Sequence, residues 1–85
     1  MTLHRLAQGR AKTVGSKQTL KAIERGQAET VYIARDAERR VVEPVTAACR
    51  LRRIPVTEVE SMRVLGKLCG IDVGCACASL LKDQL

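Results

Sequence analysis

An alternation constrains this chain most: short apolar, β-branched runs separated by stretches that carry helix start and stop signals. The runs are KTV at residues 12–14, ETVYIAR at 29–35, IPVTEVE at 54–60 and CACASLL at 75–81. Between them, residues 16–25, 39–53 and 61–69 place apolar side chains at helical spacing. A chain of 85 residues has room for one core. Residues 1–85 are therefore read as one domain that buries about 60 to 65% of the surface its unfolded chain exposes. Strands alternating with helices under that limit predict an α/β fold. The expected form is a three-layer α-β-α sandwich, with a small mixed sheet of about four strands and helices on both faces.

Local signals place the elements. Ser16 is a natural N-cap, Leu20 and Ile23 supply an inward stripe, and Gly26 is a stop. The run Thr30–Ala34 is almost wholly apolar, as expected of a strand covered on both faces, and IPVTEVE reads the same way. Val42, Val45 and Cys49 recur at i, i+3 and i+7, which predicts a helix over 39–53 with Pro44 in its first turn or just inside. Arg50, Arg52 and Arg53 crowd its C-terminal end, where cations complement the helix dipole. Ser61 should cap a further helix that turns Met62, Leu65 and Cys69 inward and stops at Gly70. Residues 3–10 are expected to form a short helix edged by Leu3, Leu6 and Ala7.

Composition narrows the chemistry. Tyr32 is the only aromatic residue, so recognition by stacking bases on an aromatic platform is nearly excluded. The four cysteines, at 49, 69, 75 and 77, follow no CxxC spacing and His4 is the only histidine, so neither a metal nor another cofactor is expected. Cysteines at apolar positions read as small buried hydrophobes in a reducing, cytoplasmic setting. No run is long enough for a signal peptide or a membrane span. No nucleophile has an evident base partner, so no enzyme activity is expected.

Charge is placed unevenly. The net charge is +6, and residues 1–26 hold six basic residues, Arg5, Arg10, Lys12, Lys17, Lys21 and Arg25, against Glu24 alone. The rest of the chain is nearly balanced. A clustered excess of this kind is the footprint of a polyanion. Lys17 is the informative member, because it falls in the first turn of a helix, where the dipole disfavours a cation by a few tenths of a kcal/mol up to about 1. Lys17, Lys21 and Arg25 recur at i, i+4 and i+8 and form one stripe opposite Leu20 and Ile23. Gly15 lets the backbone turn tightly, and the helix start aims free N–H groups at an anion, with phosphate the obvious guest.

The segments VGSKQTLKAIERG and VYIARD, followed by VESMRVLGKLCGIDVGCACA, resemble the L-seven-Ae family of kink-turn RNA-binding ribosomal proteins. The likeness is nearest to its short bacterial YbxF-like members and spans about residues 10–81. It implies an α-β-α sandwich that binds RNA kink-turns, in which tandem sheared G·A pairs follow a bulge and bend the helix sharply. It maps the groove-entering residues onto Gly15, Ser16, Lys17, Gln18 and Lys21. The segment that covers the flipped-out bulge nucleotides maps onto Ile71, Asp72, Val73 and Gly74. Gln18, with both an acceptor and a donor on its amide, is the expected reader of a guanine edge. Archaeal members carry an Asn-Glu pair where this chain has Lys17-Gln18, so its selectivity need not copy theirs.

The expected partner is thus structured RNA containing kink-turns, ribosomal or regulatory, bound by a cytoplasmic monomer that has no membrane contact. Two other readings stay open on the sequence. One is a nonspecific basic nucleic-acid binder, for which the charge of residues 1–26 would suffice. The other is a protein-interaction module on the same fold.

Overall fold

The computed structural model describes residues 11–82, so the helix expected over residues 3–10 lies outside the described residues. Seven elements follow in order: β1 (Lys12–Val14), α1 (Ser16–Glu24), β2 (Ala28–Ala34), α2 (Arg39–Arg52), β3 (Val56–Val59), α3 (Met62–Cys69) and β4 (Cys77–Leu81). The four strands form one sheet in the order β1-β4-β2-β3. β4 runs antiparallel to both β1 and β2, and β2 runs parallel to β3, so the sheet is mixed. This is the expected α/β sandwich.

Period-two alternation along the two central strands builds two cores. Val31, Ile33 and Cys77 face α1 and α2 and pack with Ala22, Ile23, Val45 and Cys49. Tyr32, Ala34, Ala78 and Leu80 face the other way, onto Leu65 and Cys69 of α3. Ile23 and Leu65 are both fully buried, each contributing about 1.5 to 3 kcal/mol through removal from water. All four cysteines are free and buried, as their apolar positions suggested.

Several local expectations are corrected. The N-cap of α1 is Gly15, one residue before Ser16, and no side chain caps this end. The buried stripe of α1 is Thr19, Ala22 and Ile23, with Leu20 only half-buried. Thr19 can enter the core because its hydroxyl is satisfied there. It lies 3.0 Å from the Thr13 hydroxyl, which in turn lies 2.5 Å from that of Ser79. This chain of three hydroxyls ties α1 to β1 and β4, and buried hydroxyls stay in a core when they are partnered in this way. β3 is not covered on both faces. It is an edge strand on which only Val59 is buried and Val56 stays exposed. CACASLL begins its strand at Cys77 rather than Cys75. The expected cap of α3 is present: the Val64 N–H donates to Ser61 Oγ at 3.1 Å, and Gly70 ends the helix with φ 80°.

Candidate nucleic-acid interface

The predicted site starts where β1 turns into α1. Gly15 has φ 95° and ψ 155°, a backbone conformation essentially restricted to glycine. Its N–H donates to the Cys77 carbonyl at 2.8 Å, which fixes the turn against the first residue of β4. Its own carbonyl accepts from the Thr19 N–H at 3.0 Å and opens the helix. No atom beyond its own chain neighbours lies within 4 Å of where a Gly15 side chain would begin, so the turn faces open space. Ser16 is half-buried, while Lys17, Gln18 and Lys21 are exposed. The first turn of α1 contains no acidic residue and no side-chain cap. Among the described residues, nothing accepts the backbone N–H groups of Ser16, Lys17 and Gln18, so the positive end of the dipole is left to an outside anion.

Residues 71–74 form the second predicted segment. The loop runs back along α3, held at one end by the Ile71 N–H on the Gly66 carbonyl and at the other by the Cys75 N–H on the Met62 carbonyl, both 3.0 Å. It then delivers the chain to Cys77, whose carbonyl holds Gly15. The two predicted segments therefore lie at the same end of the sheet, linked through the start of β4. Asp72, Val73 and Gly74 are exposed, with Val73 at 69%, but Ile71 is half-buried against the core beneath α3. Of the two large apolar residues in this segment, Ile71 and Val73, only Val73 is exposed.

Three contributors were not anticipated from the sequence. Gly66 lies inside α3, and a Cβ there would overlap the Val73 carbonyl oxygen and sit 3.1 Å from the Val73 carbonyl carbon. Only a hydrogen at this position lets the loop lie on the helix. A glycine interrupting a helical pattern was the available signal. Arg63 and Lys67, one turn apart on α3, line a cavity of about 210 Å³ together with Ile71, Asp72, Val73 and Gly74. They add two cations beside the loop, and their i, i+4 spacing could have flagged them.

Asp36, which borders this end, has a structural task. Its carboxylate accepts the Met62 N–H at 2.8 Å and so caps α3. Neighbouring Arg35 lies 3.9 Å from Glu58 across an exposed pair that contributes little. Behind the loop, Cys75 donates to the Cys77 carbonyl at 2.8 Å. The Cys69 thiol hydrogen-bonds its sulfur and lowers the Cys75 pKa, aided by the nearby Gly15 and Cys77 backbone and opposed by burial. Burial, aided by neighbouring sulfur charge, pushes Cys77 up to about 12. Among the described residues, no three His, Cys, Asp or Glu side chains gather as metal ligands, and no helix is long and apolar enough to cross a membrane.

Fold and site together define a small α/β protein that presents cations and the N-terminus of a helix at one end of its sheet. The chain belongs to the ribosomal protein L7Ae/L30e/S12e/Gadd45 family, whose profile matches residues 2–84. An RNA-binding protein of Halalkalibacterium halodurans is 46% identical over 82 residues, covering 96% of this chain and all of the relative. The RNA-binding protein YbxF of Geobacillus stearothermophilus is 40% identical over the same length and coverage. Among solved structures, a 15.5 kD RNA-binding protein of Giardia lamblia superposes with a TM-score of 0.85 at 31% identity. That match covers 96% of this chain and 69% of the Giardia chain.

Proposed function

We propose that this chain is an RNA-binding protein that recognises kink-turns and stabilises their bent form. The observation that carries the proposal is the open N-terminus of α1: three backbone N–H groups without acceptors among the described residues, Lys17 where the dipole disfavours it, and open space at Gly15. Local rules are broken most readily where a ligand supplies the missing partner. In this reading Gly15, Ser16 and Lys17 hold the phosphate backbone at the sheared G·A pairs, Gln18 hydrogen-bonds a guanine edge, and Lys21 reaches a guanine O6 or a phosphate. Ile71, Asp72, Val73 and Gly74 cover the bulge nucleotides, with Val73 giving apolar contact in place of an aromatic stack.

No covalent chemistry is needed. A kink-turn samples extended and bent forms, and a protein that binds only the bent form draws the population toward it by its differential affinity. The protein would act as a cytoplasmic monomer within a ribonucleoprotein, as a ribosomal protein or a ribosome-associated factor. The test is a binding titration at one salt concentration, with a kink-turn duplex and a twin whose G·A pairs are changed to Watson–Crick pairs. A large preference for the intact kink-turn is expected. Equal binding would reduce the function to electrostatics, and failure to bind either RNA would turn attention to a protein partner.

A further inference from the structure

The arginines of α2 divide into two groups. At its start, Arg39 lies 3.9 Å from Glu43 and Arg40 lies 3.5 Å from Glu38. At its end, Arg50, Arg52 and Arg53 are exposed and, among the described residues, pair with no acid. The strand directions gather further cations at this end. α1 and α2 lie on the same face of the sheet and both run from the end that carries the Gly15 turn to the opposite one. Arg25, the C-cap of α1, therefore lies at the same end as Arg50–Arg53. So does Lys82, whose N–H donates to the Gln27 carbonyl at 2.8 Å just after α1. Among the described residues, Glu24 and Glu29 are the acidic residues there, against five cations.

Two features at this end go beyond what the helix dipole explains. A dipole is answered by one or two cations in the last turn. Here Leu51 stands between arginines with 84% of its surface exposed. Arg53 also occupies the left-handed C-cap at φ 57°, the only non-glycine residue with positive φ among the described residues, where glycine would be unstrained. An arginine stands where the backbone would favour glycine.

We propose that this arginine-rich end, with Arg25, Arg50, Arg52, Arg53 and Lys82, is a second RNA-backbone site that holds the phosphates of a helix other than the one at the α1 N-terminus. Nine helical residues separate the two ends of α1, about 13 Å, so the two sites face opposite directions. The protein then bridges two RNA segments. The large apolar side chains exposed at this end, Leu51 and the 41% exposed Val56, are outnumbered by five cations, whereas a protein interface is built around a buried apolar core with anchoring side chains. A phosphate backbone needs only spaced cations. The choice of RNA as ligand rests on the proposed function, while the site itself does not.

The test saturates the protein with unlabelled kink-turn duplex and titrates the complex into a labelled RNA duplex without a kink-turn. A second arm repeats the titration with Lys17→Ala/Lys21→Ala protein and no kink-turn RNA, so the arginine end is read even if the kink-turn assignment fails. Wild-type complex should bind the second duplex. The variant Arg50→Gln/Arg52→Gln/Arg53→Asn should bind it at least tenfold more weakly, with the salt slope reduced by about 2 to 3, at about 0.7 to 0.9 per lost phosphate contact. Asn at 53 tolerates the left-handed backbone, so the fold should survive, with circular dichroism as the check. Kink-turn affinity of this variant should stay within about twofold of wild type. Binding of the second duplex that is absent from wild type, or unchanged in the triple variant, overturns the proposal. Preferential binding of polyglutamate at this end would overturn it in favour of an acidic protein partner.

Discussion

Replacing Gly66 by alanine sets two effects of known size against each other. Inside a helix, Gly→Ala favours folding by about 1 kcal/mol through backbone entropy. At this position the added methyl overlaps the Val73 carbonyl oxygen and approaches the Gly74 Cα to 3.4 Å. The obstacle is backbone, which cannot rotate aside as a side chain would. The loop is also tied at both ends, by Ile71 on Gly66 and Cys75 on Met62, so it can move only by weakening one of those bonds. Overpacking costs about 1 to 3 kcal/mol and a lost hydrogen bond about 0.5 to 1.5. The net expectation is destabilisation by about 1 to 3 kcal/mol. Urea denaturation followed by circular dichroism reads this as a lower midpoint with an unchanged slope. Because the 71–74 loop is displaced from its seat on α3, and the proposed function assigns it to the RNA surface, kink-turn affinity should fall in the same variant. A Gly66→Ala protein as stable as wild type or more stable would show that helix propensity prevails, and would refute the claim that the loop is seated through this glycine.

Other expected outcomes concern single side chains. Lys17→Ala should weaken RNA binding and reduce the salt slope by about 0.7 to 0.9 in log K per log salt, the share of one phosphate contact. Gln18→Ala should instead narrow the preference for intact G·A pairs by about 1 to 3 kcal/mol, and equal losses on all RNAs would remove its base-reading role. Asp36→Ala removes the carboxylate that accepts the Met62 N–H and should cost about 0.5 to 2 kcal/mol, measured by chemical denaturation, with little change in kink-turn selectivity. The hydrogen bond from the Cys69 thiol lowers the Cys75 pKa, whereas burial raises that of Cys77, so Cys75 has the larger thiolate share of the two. A time course of alkylation read by mass spectrometry should therefore label Cys75 before Cys77. The reverse order would contradict that assignment.

The sequence by itself determined the alternation of strands and helices, the burial of Thr30–Ala34, the Ser61 cap and Gly70 stop of α3, and the family. These follow from near-neighbour periodicity and from motifs whose residues lie close together in the chain. It also marked Lys17 as misplaced for stability, because a helix's first turn has the same electrostatics wherever it is found. The tertiary structure decided what depends on distant partners. IPVTEVE is as apolar as a covered strand, yet its place at the sheet edge leaves Val56 in solvent, because strand order depends on which strands pair. Thr19 is buried because hydroxyls from β1 and β4 meet it, and Gly66 is small because a loop seven residues later lies on it. That residues 15–18 and 71–74 share one end of the sheet follows from one hydrogen bond, from Gly15 to Cys77, between groups sixty-two positions apart. Periodicity reports which way a side chain faces along its own element; it carries no information about which other element will be waiting there.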